Sequence, residues 1–158
     1  MVAKYTYGMN HNTYLTPISL IQKGLSILTL YKGTKPVDKF DCDVCCSNDN
    51  VPAKVHYTYP EHNGLTEHWM DYNWCNPPFN ECPKWVKKAY AEQQLGRTSI
   101  LLIPVRTETA YWHDYILYNE NTEIYWLRKG YRFLNPETHE EMGVFKNALA
   151  LVLFKGIK

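Results

Sequence analysis

Apolar residues recur at helical spacing near the start of the chain, and this periodicity predicts a first helix. Thr16 is placed to cap the helix, and Pro17 suits its first position because no N–H partner is needed there. The residues that recur on one face are Ile18, Leu20, Ile21, Leu25 and Leu28. The first helix is therefore expected to pack one apolar face on a core.

Two further helices are predicted downstream. One begins at Pro83 and ends at Gly96, a residue that commonly stops helices. Its inner face carries Trp85, Val86, Ala89 and Tyr90. The other covers Thr109–Tyr118. Trp85 is expected in the core, because it shares the helical spacing of that face.

Short apolar or alternating runs between the helices predict strands. Ser99–Pro104 is the most continuous run and predicts a central strand. Tyr72–Cys75 leads into two prolines, which forbid continued pairing. The other predicted strands are Val37–Asp43, Lys54–Tyr59, Glu123–Leu127, Tyr131–Leu134 and Leu149–Phe154. A polar turn over Ser47–Asn50 follows the first of these.

This order predicts an α/β fold, with a mixed sheet flanked by helices and antiparallel strands near the C-terminus. The chain has 158 residues and shows no repeat or linker, so we expect a single domain over residues 1–158. Ligands of such sheets bind beyond the carboxyl ends of the strands. Residues with chemical roles are therefore expected in the loops that follow strands.

Composition and charge exclude several classes of protein. Hydrophobic residues make up 45% of the chain and charged residues 21%, which excludes a disordered or collagen-like protein. No apolar run reaches the roughly 18 residues of a membrane span. The N-terminus lacks the apolar stretch of a secretory signal, so a cytoplasmic protein is expected. The net charge of +1 means that any contact with nucleic acid must be local.

Five cysteines leave two interpretations open. Their odd number, without an export signal, favours reduced thiols over disulfides. The alternative is a zinc-binding interaction domain that uses Cys42 and Cys45 with Cys75 and Cys82. The six residues between the second pair do not match a zinc-knuckle spacing. We therefore predict no metal site.

Asn76-Pro77-Pro78-Phe79, called here the NPPF loop, lies between a predicted strand and a predicted helix. The Asn76 side-chain oxygen and the Pro77 carbonyl could accept both hydrogens of an exocyclic amino group, and Phe79 offers a face on which a base can stack. Pro77 and Pro78 would fix the backbone in advance. Such a loop could present an amine to an electrophilic methyl group. Alternatively, the four residues form only a rigid turn.

The NPPF loop stands within an ordered set of motifs. They are Thr13-Tyr14-Leu15-Thr16-Pro17, Phe40-Asp41-Cys42-Asp43-Val44-Cys45-Cys46-Ser47, Asn63-Gly64-Leu65 with Trp69, Trp74-Cys75 before the loop, Leu101–Thr107, Trp112-His113 and Gly130-Tyr131-Arg132-Phe133. As a set, they resemble the phage-type DNA N6-adenine methyltransferase family over most of the chain. The family differs at Val44 (proline), Cys46 (alanine), Asn63 (aspartate) and Phe79 (tyrosine).

The resemblance implies a Rossmann-like fold, S-adenosylmethionine as methyl donor, and adenine N6 in DNA as acceptor. The target base must be flipped out of the duplex or already single-stranded. The resemblance also suggests a phage enzyme that protects DNA from restriction in the bacterial cytoplasm. We expect no separate target-recognition domain, and therefore a short or loosely defined site and modest, salt-sensitive affinity.

The resemblance also implies roles for particular residues. Residues expected at the donor are Thr16, Pro17, Asp41, Asp43, Cys45, Asn63 and Leu65. Residues expected at DNA are Arg106, Thr107, Lys129 and Arg132. For these the alternatives are helix capping by Thr16, a solvated strand end at Asp41 and Asp43, a salt bridge at Arg106, and a solvated hairpin at Lys129 and Arg132. Trp112 and His113 are expected to serve packing.

Two functional alternatives remain open from the residues themselves. The loop recognises an amino group rather than one base, so methylation of cytosine N4 or of RNA would use the same chemistry. A silent module that binds the donor or nucleic acid is the second alternative. The intact NPPF loop favours catalysis, whereas Val44 and Asn63 favour the silent module.

Overall fold

Helices and strands alternate in the computed structural model, which describes residues 14–46 and 50–158. The helices are α1 (Ile18–Lys32), α2 (Cys82–Gln94) and α3 (Ala110–Trp112), which continues as a π-helical turn over His113–Leu117. The strands are β1 (Phe40–Cys46), β2 (Ala53–Thr58), β3 (Tyr72–Cys75), β4 (Thr98–Pro104), β5 (Thr122–Trp126), β6 (Arg132–Leu134), β7 (Glu141–Val144) and β8 (Leu149–Phe154). No helix in these ranges is long and apolar enough to cross a membrane.

Six strands form one mixed sheet in the order β2-β1-β3-β4-β8-β5. Strands β1 to β4 are parallel, and β8 runs antiparallel to both β4 and β5. The predicted α/β class and antiparallel C-terminal strands are thereby confirmed. The chain leaves β1 towards β2 on one side and returns to β3 on the other. The strand order therefore reverses between β1 and β3, where open α/β sheets form a crevice.

Apolar residues pack on both faces of this sheet. Trp85, Val86 and Ala89 of α2 are buried against one face, as the helical spacing predicts. Leu20 and Leu28 of α1 are buried with Trp74 in a second cluster. A Cβ at Gly24 would lie 2.7 Å from the Trp74 ring, so the absence of a side chain lets α1 approach the sheet. All of β4 is buried, which confirms it as the central strand.

The start of the chain's first strand was predicted wrongly. Thr29 Oγ1 accepts the backbone N–H of Val37, which removes that group from the sheet. Pairing begins at Phe40, whose N–H donates to the Pro52 carbonyl. β1 therefore begins at Phe40 rather than at Val37. Its predicted end at Asp43 was also wrong, because pairing with β2 continues to Cys46.

The first helix also differs from its prediction. It begins at Ile18, and no side chain caps it, so the expected cap by Thr16 is wrong. Ile18 is 65% exposed, because it lies about 120° around the helix from the stripe centred on Gly24. The hairpin of β6 and β7 forms a separate two-stranded sheet, and β7 was missed because its residues are mostly exposed. Thr13 and Ser47–Asp49 lie outside the described residues.

Candidate active site

Asn76 directly follows β3, at the carboxyl edge of the sheet and beside the reversal of strand order. Its side-chain nitrogen donates to Thr16 Oγ1 over 2.9 Å and to the Tyr14 carbonyl over 3.5 Å. No residue in the described ranges donates to Asn76 Oδ1. The carboxamide is therefore oriented through its nitrogen, and its oxygen is left to accept a hydrogen bond.

The two prolines after Asn76 are buried and restrict the backbone conformation of the loop. The Pro78 carbonyl accepts the N–H of Glu81 over 2.8 Å and so starts a 3₁₀ turn over Phe79–Glu81. No described residue donates to the Pro77 carbonyl. Asn76 Oδ1 and the Pro77 carbonyl are thus two neighbouring acceptors without protein donors.

Phe79 is half-buried in a group of aromatic rings. Its ring centroid lies 5.9 Å from that of Phe133 and 5.5 Å from that of Phe145, both edge-to-face. Together with Tyr14 these rings line a small cavity of about 30 Å³. Sequence reasoning did not assign Tyr14, Phe133 or Phe145 to a site, because only folding brings them to Phe79.

The segment before α1 ties this aromatic group to Asn76. Leu15 pairs with Leu134 of β6 through two backbone hydrogen bonds of 2.9 and 3.0 Å. Thr16 is buried, and its carbonyl accepts the side-chain amide of Asn50 from the loop after β1. The Pro17 carbonyl accepts the N–H groups of Leu20 and Ile21, so α1 starts beside Asn76.

Two aspartates that share β1 lie in different surroundings. Asp43 is buried in the middle of β1, where its Oδ1 accepts the N–H of Cys45 over 3.4 Å. Asp41 lies two residues nearer the amino end, with its carboxylate 2.9 Å from Lys54 Nζ and accepting the N–H of Tyr72. Of this pair, Asp43 lies nearer to the carboxyl edge.

The turn after β2 packs closely against β1. Asn63 Oδ1 accepts the N–H of Leu65 over 2.9 Å, which closes the turn. A Cβ at Gly64 would collide with the Val44 carbonyl oxygen and the Trp85 ring, so only glycine fits. Trp69 Nε1 donates to the Gly64 carbonyl over 2.7 Å. The Asn63–Leu65 turn and Trp69 thus form one unit beside β1.

Glu81 is a buried acid near the NPPF loop that sequence reasoning missed. It is 7% exposed, and its carboxyl lies beside the Trp85 side chain, which acts to lower the pKa of Glu81. Burial raises the pKa of this carboxyl, while the positive charge of Lys84 opposes the rise. The negative charge of Glu81 also contributes to a raised pKa at Cys45. In the sequence, Glu81 could have been recognised by its position two residues after Phe79 of the NPPF loop.

Known proteins that resemble this chain are DNA methyltransferases. Residues 26–158 match the family model described as DNA N-6-adenine-methyltransferase (Dam). A DNA N-6-adenine-methyltransferase of Haemophilus phage HP1 (strain HP1c1) is 34% identical over 119 residues, which cover 74% of this chain and 68% of the relative. The chain belongs to the DNA N-6-adenine-methyltransferase family. No solved structure matches it.

Membership of this family makes the protein a DNA adenine N6-methyltransferase. The open alternatives of cytosine or RNA methylation, a silent binder and a zinc-binding interaction domain are not what the family indicates. The suggested phage origin agrees with the phage source of the HP1 relative.

The residues expected at DNA occupy two places on the methyltransferase. Arg106 and Thr107 follow β4 at the carboxyl edge. Arg106 forms an exposed salt bridge of 2.8 Å with Glu108, and the Thr107 carbonyl accepts His113 Nε2. Lys129 and Arg132 lie near the start of the β6–β7 hairpin, where Arg132 donates to the Met142 carbonyl. Trp112 is buried, as predicted.

No disulfide joins the cysteines of the methyltransferase, all five of which lie in the described ranges. Burial raises the pKa of the Cys45 and Cys75 thiols well above the usual value, and that of Cys82 to about 12. These thiols are therefore protonated at neutral pH. Within residues 14–46 and 50–158, no group of three acidic, histidine or cysteine side chains is arranged to hold a metal ion.

Proposed function

We propose that the enzyme transfers a methyl group from S-adenosylmethionine to adenine N6 at the NPPF loop. The observation that carries the proposal is the fixed carboxamide of Asn76, whose nitrogen is held by Thr16 and Tyr14. Its oxygen and the Pro77 carbonyl are the acceptors that an exocyclic amino group needs.

The two acceptors act on the amine before transfer. Each takes one N–H of the adenine amino group, which turns the nitrogen lone pair away from the ring and towards the methyl group. The bound donor supplies an electrophilic sulfonium methyl. Because the prolines fix the loop, the acceptors need little reorganisation during reaction. No strong base is needed, since the nitrogen becomes acidic once it is methylated.

Several groups at the carboxyl edge fit S-adenosylmethionine. The first N–H groups of α1, beside Thr16 and Pro17, suit its carboxylate. Asp43 suits its ammonium or hydroxyl groups, and the turn at Asn63 and Leu65 suits its adenine. We assign no donor contact to Asp41.

The strand order supports a Rossmann-like methyltransferase domain over residues 1–158. The crevice between β1 and β3 is where ligands of such sheets bind. The helices and strands of the described ranges belong to the two sheets and the helices that pack on them, which supports a single domain. We therefore propose a short or loosely defined target site. We also propose that the enzyme acts in the bacterial cytoplasm.

The target adenine would enter the aromatic group around Phe79. The cavity of about 30 Å³ is small, so we propose that a ring moves aside to admit a purine. Tyr14 and Phe145 belong to separate short segments, whereas Phe79 is fixed by the prolines. A base that stacks on Phe79 would place its amino group next to Asn76. This requires a flipped or single-stranded adenine.

The test is a comparison of Asn76→Ala with the wild type. Loss of one positioned acceptor should lower the methylation rate about 100- to 1,000-fold, while donor affinity measured by calorimetry stays unchanged. The exposed amide of Gln22 on α1 provides the control, since Gln22→Ala should retain full activity. Full activity of Asn76→Ala would overturn the proposed mechanism.

A further inference from the structure

A second recess opens at the carboxyl edge, between the ends of β5 and β8. It has a volume of about 350 Å³ and is lined by residues 127–131 and 145–149. Leu127 donates its N–H to the Leu149 carbonyl, and Phe145 donates its N–H to the Tyr131 carbonyl. The two walls are therefore joined by backbone hydrogen bonds, and the recess does not depend on side-chain positions alone. We call it the basic groove.

Three cations line the basic groove: Arg128, Lys129 and Lys146. All three are exposed, and none forms an ion pair with a residue in the described ranges. The acids of the hairpin lie at its other end, at Glu137, Glu140 and Glu141. The net charge of the chain is only +1, so this excess of positive charge is local.

The basic groove adjoins the candidate active site. Phe145 lines both the groove and the aromatic cavity, and its ring lies 5.5 Å from that of Phe79. A nucleotide whose base stacked on Phe79 would have its sugar and phosphates at the rim of that cavity. The groove begins at this rim, so its cations are placed for the phosphates next to the stacked base.

We propose that the basic groove binds the phosphates that flank the target adenine, through Arg128, Lys129 and Lys146. The inference rests on the proposed function at the NPPF loop and adds a backbone contact to it. Exposed cations without acidic partners break no ion pair when they bind phosphate, and each contact releases counterions. The groove thereby positions the strand and reads no sequence.

The test measures binding to a fluorescent DNA duplex of mixed sequence over a range of salt concentrations. The triple variant R128Q/K129Q/K146Q should weaken binding and reduce the slope of log K against log salt by about 2 to 3, since each phosphate contact contributes about 0.9. The control triple variant K35Q/K39Q/K158Q removes the same charge at the amino edge of the sheet. Its slope should change by less than about 1.

Equal slopes for the two triple variants, or an unchanged slope in the groove variant, would overturn the proposal. R128K/K129R/K146R should restore the wild-type slope, because charge rather than shape is required. Binding does not need catalysis, so the proposed function fails separately: full activity of Asn76→Ala would refute the NPPF mechanism and leave the slopes as they are. Unchanged donor affinity in the groove variant confirms that it is folded.

Discussion

At the scale of single residues, the proposed methyl-transfer mechanism depends on the hydrogen bond between Asn76 and Thr16. The two residues are 60 positions apart, yet the Thr16 hydroxyl holds the Asn76 amide nitrogen over 2.9 Å. A carboxamide can rotate, and rotation would replace its acceptor oxygen by a donor. Thr16 is therefore a positioning residue, because it fixes which end of the amide faces the target.

Thr16→Val should lower the single-turnover methylation rate about tenfold, since one hydrogen bond of about 1.4 kcal/mol corresponds to that factor. Thr16→Ser keeps the hydroxyl and should restore most of the rate. The measurement uses saturating donor, so that weaker donor binding cannot explain the loss. A rate equal to the wild type in Thr16→Val would contradict the positioning role.

Gly64 gives a second prediction for a single residue. A Cβ there collides with the Val44 carbonyl oxygen, so Gly64→Ala must displace the Asn63–Leu65 turn. We expect the free energy of unfolding to fall by about 1–3 kcal/mol and donor affinity to fall with it. Urea denaturation and calorimetry measure the two effects.

Gly143→Ala is the matched control for Gly64→Ala, because a Cβ at Gly143 meets no atom within 4 Å. It should be nearly neutral for both stability and donor affinity. Equal effects of the two substitutions would show that the Val44 contact does not govern the turn.

The sequence predicted the position of the NPPF loop correctly but did not predict the residues around it. A tetrapeptide between a strand and a helix can be read locally, and the structure places it at the expected edge. The role of Thr16 was partly misjudged, because capping depends on local sequence whereas the Asn76 contact depends on the folded chain. The aromatic partners of Phe79 and the buried oxygen of Glu81 were missed for the same reason.

At the scale of elements, Glu92 joins α2 to the segment before β3. Its carboxylate lies 2.9 Å from Lys88 Nζ, accepts the N–H of Trp69 over 2.9 Å and contacts His68 and Arg97. Burial acts to raise the pKa of Glu92, but the hydrogen bonds from Lys88, Trp69 and His68 outweigh it and lower the pKa below 4.5. Glu92 thereby holds Trp69, which in turn binds the Gly64 carbonyl.

This network predicts a specific pH dependence. A lowered pKa in the folded state adds stability above the unfolded value of 4.5, and the contribution disappears as pH falls through the folded value. Glu92→Gln should cost about 2 kcal/mol at pH 7, and the difference from wild type should shrink in acid. Urea denaturation from pH 7 to pH 3 measures it. A difference that is constant with pH would contradict the assignment.

The elements of the main sheet were predicted better than those of the hairpin. β3 and β8 were predicted with their observed bounds, and β4 within one residue, because buried apolar runs mark them clearly. β7 is short, contains Gly143 and is mostly exposed, so no apolar pattern marks it. The strand β1 was misplaced at its start, because a Thr29 side chain takes the Val37 N–H.

At the scale of the whole molecule, the loops after β1, β2, β3 and β4 converge on one edge of the sheet. The donor groups proposed at Asp43, the NPPF loop and the basic groove all belong to this edge. A ligand that binds there joins separate elements and should stabilise the entire fold. Saturation at about 100 times the dissociation constant should add about 2.7 kcal/mol.

Thermal unfolding with and without S-adenosylmethionine measures this stabilisation. Asp43→Asn should reduce the donor-induced rise in Tm, because it removes the buried negative charge from the proposed donor crevice. Asp38→Asn, an exposed substitution before β1, serves as the control and should keep the full rise. Absence of any rise in the wild type would contradict the donor assignment.

Identification of the methylated nucleoside tests whether the enzyme methylates adenine N6 at the NPPF loop. Wild-type protein and Asn76→Ala are incubated with methyl-labelled S-adenosylmethionine and unmethylated DNA, and the DNA is digested to nucleosides. We expect label on N6-methyladenosine with the wild type and only background label with Asn76→Ala. Label on cytosine, or equal label with both proteins, would contradict it.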